Sequence, residues 1–155
     1  MASYYPPCGF YFKVEFIGVS GMSDDTEQRF QEVSGLSVEV EVDELKEGGE
    51  NRFSYKLPKR AKYPNLILKR GLLKGSKILD WIKSAQENYF NVIDLSFKPA
   101  DIIITLMDEA GEETAVWNVV QAYPLKIATS DFKASDNSIV VETIELAYQH
   151  FNRTK

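Results

Sequence analysis

Nucleophilic catalysis needs a reactive side chain held beside a base, and this chain has few residues suited to either role. Its 155 residues include one cysteine, Cys8, and one histidine, His150, at opposite ends of the sequence. His150 continues a strand-like alternation and precedes Phe151, so we interpret it as a surface or edge residue and not as the base of a triad. One cysteine and one histidine also fall short of the usual zinc ligands. The sequence therefore favours neither a triad hydrolase nor a zinc protein.

Two further segments resemble ligand-binding loops without matching them. The segment GLLKGSK, from Gly71 to Lys77, has its glycines too close together and places lysine after serine, whereas a phosphate-binding loop has lysine before serine or threonine. The segment SDDTE, from Ser23 to Glu27, is rich in oxygen ligands, but their spacing is not that of a known calcium loop. We expect neither a cofactor nor a metal ion.

Acidic residues are frequent, and several pairs of them could in principle act as a general acid and a general base. The candidate pairs are Glu47/Glu50, Asp108/Glu109, Glu112/Glu113 and Glu142/Glu145. All but the last lie in hydrophilic, turn-like segments where solubility accounts for them. Glu142 and Glu145 are an odd number of residues apart on one predicted strand, so their side chains point to opposite faces. We predict that the protein is not an enzyme.

Charge and hydropathy exclude other classes. The chain has 18 Lys and Arg against 23 Asp and Glu, a formal net charge of −5, which argues against stable binding to nucleic acid. No run approaches the roughly 20 apolar residues of a membrane helix, and the start lacks the pattern of a secretory signal. A single cysteine excludes an internal disulfide. We predict one domain, residues 1–155, made in the cytoplasm without a signal peptide.

The stretch from Gly35 to Gly71 has the most distinctive pattern. Apolar residues alternate with polar ones from Leu36 to Val42, which predicts a half-buried strand with one wet face. Gly48-Gly49 allows the chain to reverse with positive φ at both positions. A return strand follows, and we expect Pro58 to end it because proline cannot donate to a ladder.

The charges along this stretch are segregated. From Glu39 to Glu50 there are six acids and one base, and from Lys56 to Lys77 there are eight bases and no acid. One interpretation is that both segments are solvated. The other is a head-to-tail contact, in which the acidic arm of one subunit meets the basic stretch of a neighbour and builds a ring or filament.

One helix and many short strands make up the rest of the chain. Ser76 is the expected N-cap of a helix over about residues 76–89, with Trp81 at the margin of its apolar stripe. Strand patterns cover 10–17, 30–33, 65–69, 92–97, 102–107, 114–120, 123–129 and 139–151. The predicted fold class is mainly β (α+β): a two-sheet antiparallel barrel or sandwich with one flanking helix and a protruding hairpin at about residues 36–57.

Several ordered segments also carry a family resemblance. They are FQEVSGL (30–36), EGGEN (47–51), KLP (56–58), NLILKRG (65–71), Trp81, Trp117, QAYPLK (121–126), SDFKA (130–134) and VETIEL (141–146). In this order and spacing they resemble the tail-tube proteins of contractile phages and of phage-derived contractile injection systems, relatives of the Hcp ring protein of type VI secretion. The resemblance covers nearly the whole chain.

The resemblance implies hexameric rings stacked into the hollow inner tube of a contractile injection machine. The tube is driven through a target envelope on sheath contraction and passes cargo. The implied partners are further copies of the chain, the sheath, baseplate, spike and tube-initiator proteins, a terminator cap and protein effectors in the lumen. The implied location is a phage tail or tail-like particle.

In such tubes the hairpin reaches the next ring, and this together with the charge pattern predicts the contact residues. They are Asp43, Glu44, Glu47, Gly48, Gly49, Glu50, Asn51, Arg52, Lys59, Arg60, Lys69 and Arg70. Three alternatives stay open: a tube-initiator or baseplate adaptor ring, an Hcp-like effector shuttle, and a monomeric ligand-binding β-barrel.

Overall fold

The computed structural model describes residues 9, 11–19, 22, 28–46, 48–49, 52–90, 98–131 and 139–155, and the side chains of these residues except 88–90. Within these ranges the chain is mainly β, as predicted. The strands are β1 Tyr11–Ile17, β2 Arg29–Phe30, β3 Glu32–Ser34, β4 Glu39–Leu45, β5 Tyr55–Lys62, β6 Leu66–Gly71, β7 Ala100–Met107, β8 Glu113–Thr129, β9 Val141–Ala147 and β10 His150–Arg153, and the helix is α1 Lys77–Phe90. The strand predicted at 92–97 lies outside the described residues.

Seven strands form one continuous antiparallel path, which confirms the predicted architecture. Their order is β2-β1-β7-β8-β9-β6-β3, and β10 adds to β8. The two ends of this path are consecutive in sequence, since only Gln31 separates β2 from β3. The backbone N–H of Gln31 donates to the carbonyl oxygen of Lys69 on β6 at 2.9 Å. The path therefore closes on itself as a two-sheet barrel.

Strand β8 joins the two sheets of the barrel. Its first half pairs with β7 and β10, and its second half pairs with β9. Between the halves Gln121 has a φ of 53°, and its N–H donates to Asp101 Oδ1 at 2.9 Å. The two strands predicted here are thus one bent strand. Conversely, the single strand predicted over 139–151 is divided into β9 and β10.

The interior of the barrel is filled by apolar side chains from alternating strand positions and from one face of the helix. On β1, Val14 and Phe16 are buried, as the predicted alternation requires. The helix buries Ile78, Trp81, Ile82 and Ala85, which follow the helical spacing of one face. Trp81 was predicted at the margin of this face, and that prediction is wrong. Its ring packs edge-to-face against Phe16 with centroids 5.7 Å apart.

One ion pair is buried in the barrel. Arg70 on β6 and Glu142 on β9 are cross-strand partners, and Arg70 Nε lies 3.2 Å from Glu142 Oε2 with both side chains 2% exposed. Arg70 also donates to the hydroxyl of Ser76, the residue before the helix, where the N-cap was predicted. Glu145 faces outward, and its Oε1 accepts a 2.7 Å hydrogen bond from Asn65. The prediction that the two acids of β9 point to opposite faces is confirmed.

Candidate subunit-assembly interface

The predicted hairpin is a two-stranded ribbon that stands apart from the barrel. Residues 38–62, here called the arm, contain β4, a turn and β5, which pair from Glu39 opposite Lys62 to Leu45 opposite Tyr55. Every residue of both strands is exposed. The two strands contact each other far more than they contact any other described element. The prediction of a half-buried β4 is therefore wrong for the single subunit, because its apolar residues have no cover within the described chain.

One detail of the arm also differs from prediction. Strand β5 continues through Pro58 to Lys62, so proline does not end it. A register shift lies beside Pro58, between Val40 and Val42 on the partner strand, and proline is tolerated at such irregularities and at open edges. At the turn, Gly49 has a φ of 101°, a left-handed conformation that glycine adopts without the Cβ penalty of other residues.

The arm carries most of the exposed apolar surface of the described chain. The described chain has twelve large exposed apolar side chains. Seven of them lie in the arm, and each is about half exposed: Val38, Val40, Val42, Leu45, Phe53, Tyr55 and Leu57. Monomeric soluble proteins expose such side chains singly, whereas clusters of them mark interaction sites. An isolated two-stranded hairpin is also marginally stable in water. The arm thus has the properties of a segment that is covered in an assembly.

The two faces of the arm differ in polarity at its base, beside the barrel. Opposed residues of antiparallel strands share a face, so Val40 with Ala61 and Val42 with Pro58 form an apolar surface. We call this surface the valine face. The other face begins beside the barrel with Glu39 opposite Lys62. The valine face is therefore suited to burial against a protein, and the base of the opposite face is suited to water.

The segregated charges of the hairpin are matched within the arm. Lys59 Nζ lies 2.6 Å from Asp43 Oδ1, and Glu44 is opposite Lys56. Residues 38–62 contain six acids and six bases, so the arm is neutral overall. Cross-strand pairing in one chain accounts for the acidic and basic segments. The charge pattern consequently gives no support of its own to a neighbouring subunit, and the exposed apolar residues carry that argument instead.

The predicted contact residues divide into three groups. Most of those described lie on the arm: Asp43, Glu44, Gly48, Gly49, Arg52, Lys59 and Arg60. Glu47, Glu50 and Asn51 fall outside the described residues.

The third group, Lys69 and Arg70, lies on β6 in the barrel. Lys69 Nζ is 2.9 Å from Glu32 Oε1 on the outer surface. Arg70 is 1% exposed and is engaged with Glu142. A buried guanidinium cannot reach a neighbouring subunit, so Arg70 is removed from the candidate interface.

The base of the arm is held by an aromatic cluster that the sequence reasoning missed. Tyr63, just after β5, contacts Tyr148 and Phe151 edge-to-face, with centroids 5.9 and 5.6 Å apart. The Tyr148 hydroxyl donates to the carbonyl oxygen of Gly35 at 3.0 Å. Burial, and secondly the charge of Tyr63, raise the pKa of Tyr148 above its usual 10.0. Both ends of the arm are thus fixed to the segment between β9 and β10.

Gly35 itself permits the close approach of the chain at this base. Its φ is 91°, and a Cβ on it would overlap the carbonyl oxygen of Asn65. The available signal was the glycine that precedes the alternating strand, since glycine often marks a positive φ or a close backbone contact.

Neither a metal-ligand cluster nor a membrane-crossing helix is found among the described residues. Among them, no group of three or more His, Cys, Asp or Glu side chains is placed to hold a metal ion. In the same ranges, the 14-residue helix α1 falls short of the length and hydropathy that a membrane-crossing helix needs.

Comparison with solved structures identifies relatives over the whole length of the chain. A chain of the anti-feeding prophage (AFP) baseplate, 6-fold symmetrised, is 25% identical with a TM-score of 0.78, covering 99% of this chain and 97% of that one. A chain of the PVC sheath-tube complex, an extracellular contractile injection system in the extended state, is 28% identical with a TM-score of 0.73, covering 97% and 93%. Hcp1 from Flavobacterium johnsoniae, at 10% identity and a TM-score of 0.53 over 94% and 95%, shares the fold.

Comparison with curated protein sequences gives no significant match. The family model of the T4-like virus tail tube protein gp19 matches residues 8–152. This match spans the barrel, the arm and the helix. The chain belongs to the T4-like virus tail tube protein gp19 family.

Proposed function

We propose that this chain forms hexameric rings that stack into the inner tube of a contractile injection particle, with the arm as a contact between copies. Its family makes it a structural tail tube protein, and its relatives place the fold in contractile injection systems. The observation that carries the role of the arm is its set of half-exposed apolar side chains, which have no cover in the described subunit.

The proposed function is mechanical and includes no covalent step. A tube wall needs surfaces that complement each other between copies, and the valine face supplies such a surface. Fully burying an apolar side chain of this size contributes about 1.5–3 kcal/mol, so covering one that is already about half buried contributes roughly half of that. Several such side chains per subunit, repeated along a tube, offset the entropy lost when subunits associate. The arm is therefore suited to a permanent contact that forms only in the assembly.

The proposed partners follow from the same role. One relative comes from a sheath-tube complex and another from a baseplate, which supports contact with sheath and baseplate proteins. Spike and tube-initiator proteins, a terminator cap and protein effectors in the lumen complete the proposal. The working location is a phage tail or a phage tail-like particle.

A second candidate function is a single ring at the baseplate. The relative from the AFP baseplate, with a TM-score of 0.78, favours this role. The two roles differ in copy number, because a main tube needs many rings and an adaptor needs one. Counting this chain against the sheath protein in purified particles, by quantitative mass spectrometry, separates them.

Electron microscopy of the purified protein at rising concentration tests the proposed function. We expect wild-type rings and tubes. The double variant Val40→Ser/Val42→Ser should form no tubes, while the circular dichroism and thermal midpoint of its subunit remain those of the wild type, because both side chains are already exposed in the subunit.

The matched control is Val40→Ile/Val42→Ile, which keeps the face apolar and β-branched and should still assemble. Monodisperse wild-type monomers at every concentration would contradict the tube role. Normal tubes from the serine variant would contradict the role of the arm alone.

A further inference from the structure

We infer that Tyr63 and Tyr148 form a site of oxidative modification, at which a one-electron oxidant joins their two rings by a carbon–carbon bond. The product is a dityrosine within one subunit. It ties the end of the arm covalently to the segment between β9 and β10. The inference goes beyond the proposed function and concerns the single subunit, whether or not the subunit assembles.

The two tyrosine rings are already in contact, although they are distant in sequence. Their centroids lie 5.9 Å apart with an interplanar angle of 62°, an edge-to-face arrangement. Aromatic rings at this separation interact directly. Tyr63 follows the end of β5, and Tyr148 lies between β9 and β10. Rotation of the two side chains can therefore bring together the ring carbons beside the hydroxyls, without movement of either strand.

Neighbouring groups hold the two phenols in this arrangement. The ring of Phe151 lies 5.6 Å from that of Tyr63 and 6.3 Å from that of Tyr148, so the three rings form one cluster. The Tyr148 hydroxyl donates to the carbonyl oxygen of Gly35 at 3.0 Å. Phe151 has no hydroxyl and cannot form a phenoxyl radical. It is therefore a positioning residue for the pair.

The surroundings of the pair suit a coupling within one subunit. Both side chains are partly exposed, so a dissolved oxidant can approach them. Burial, and secondly the charge of Tyr63, raise the pKa of Tyr148. The second cause requires the two phenolic oxygens to lie near each other. A radical formed on one ring thus has the other phenol beside it before it meets a second protein molecule.

The coupling balances as the net loss of two hydrogen atoms. Each phenol gives one electron to an oxidant molecule and one proton to water, which leaves a phenoxyl radical whose unpaired electron is shared with the ring carbons beside the oxygen. One such carbon from each ring, a Cε atom, contributes its unpaired electron to the new bond. The hydrogen on each bonded carbon then moves as a proton to the oxygen of its own ring. Both rings become aromatic again, and both hydroxyls are restored.

Tyr55 provides a contrast within the same molecule. It is 48% exposed, and its ring packs edge-to-face against Phe53, which cannot supply a second phenoxyl radical. A radical on Tyr55 therefore couples when another subunit collides with it. Its product joins two subunits and increases with protein concentration, whereas the yield of the link between Tyr63 and Tyr148 is independent of concentration.

Photo-oxidation of the subunit, at concentrations below tube formation, tests the inference. The oxidant is tris(bipyridine)ruthenium(III), which visible light generates in the presence of persulfate. We expect dityrosine fluorescence in the monomer band of a denaturing gel and an intact mass lower by two hydrogen atoms. After digestion, mass spectrometry should identify one linked pair of peptides that contain Tyr63 and Tyr148. The yield per subunit should not change on dilution.

Substitutions assign the link to these two phenols. Tyr63→Phe keeps the ring and removes the hydroxyl, so it should abolish the link within the subunit while circular dichroism shows an unchanged fold. Tyr123→Phe is the matched control, because it removes a phenol that is 38% exposed on β8 and should leave the yield unchanged. Phe151→Leu keeps both phenols and should lower the yield.

The same measurements can overturn the inference. It fails if Tyr63→Phe forms the link within the subunit at the wild-type yield, or if the linked peptides lack either tyrosine. It also fails if the wild type gives dityrosine only in dimer bands, at a yield that falls on dilution. None of these outcomes depends on tube formation, so a wild type that forms no tubes contradicts the proposed function and leaves this site in place.

Discussion

Replacing Arg70 by methionine should destabilise the subunit strongly, because it leaves the carboxylate of Glu142 buried without its partner. The two side chains are 2% exposed and 3.2 Å apart, so water screens neither charge. Breaking one side of such a pair costs about 3–5 kcal/mol, whereas replacing both partners with apolar residues of similar volume is often neutral. We therefore expect Arg70→Met to be severe and Arg70→Met/Glu142→Leu to recover most of the loss.

The expected loss translates into large shifts of the unfolding midpoints. With a urea m-value of about 2 kcal/mol per molar, it lowers the midpoint by about 2 M. In a thermal scan it lowers the midpoint by roughly 6–20 °C for a chain of this size. Both can be followed by tryptophan fluorescence, because Trp81 is buried against Phe16 in the folded subunit. The measurements use the monomer, at concentrations below tube formation.

Lys69, the residue before Arg70, supplies the control for Arg70→Met. Lys69 pairs with Glu32 at 2.9 Å, but the two side chains are 38% and 53% exposed. Lys69→Met should therefore cost less than about 1 kcal/mol. If Arg70→Met costs no more than Lys69→Met, or if the double variant is as unstable as the single one, the argument from an uncompensated buried charge is refuted.

Two further predictions concern the base of the arm. Gly35→Ala should lower the free energy of unfolding by at least about 2–3 kcal/mol, because it combines a strained positive φ with overlap on the carbonyl oxygen of Asn65. The control is Gly18→Ala, which measures the backbone strain alone because Gly18 has a φ of 93° and open space around it. Tyr148→Phe should cost about 1 kcal/mol at neutral pH through the lost hydrogen bond to Gly35. Burial raises the pKa of Tyr148 above 10.0 in the folded state. Above about pH 10 the unfolded chain therefore loses this proton while the folded state still keeps it. The stabilisation by Tyr148 is complete below about pH 10 and is lost as the pH rises through the folded pKa.

Each of these two predictions is checked by comparison with a second protein. Equal losses for Gly35→Ala and Gly18→Ala in urea unfolding would show that the contact with Asn65 is irrelevant. For the tyrosine, stability is measured from pH 8 to pH 11 in the wild type and in Tyr148→Phe. The difference between the two curves should shrink above about pH 10, since the tyrosines that the two proteins share cancel. A constant difference would contradict the assignment.

The fold class was predictable from sequence because it depends on local periodicity. Residues 11–17 alternate between the core and the outside in both the pattern and the structure, and the helix begins directly after the predicted N-cap Ser76. Strand division was less predictable. The bend at Gln121 depends on a hydrogen bond to Asp101, which is distant in sequence, and no local pattern encodes it.

The candidate interface was predictable from the sequence only in part. The hairpin and its contact role came from alternation, glycines and family resemblance, and the structure places seven of the predicted residues on the arm. Arg70 was misplaced because a charged residue in a basic stretch is normally solvated. Its burial depends on Glu142, a partner contributed by another strand.

Periodicity, turn residues and ordered motifs in the chain thus sufficed for a β-rich tail-tube subunit with one helix and a hairpin. They could not tell which alternating strand is covered, since Val14 of β1 and Val42 of β4 follow the same pattern and only the first is buried. Nor could they tell a paired charge from a solvated one. Burial and pairing depend on which strands meet in space, and sequence distance does not determine that. The folded chain leaves the valine face in water, and that exposure is what a second copy of the protein can remove.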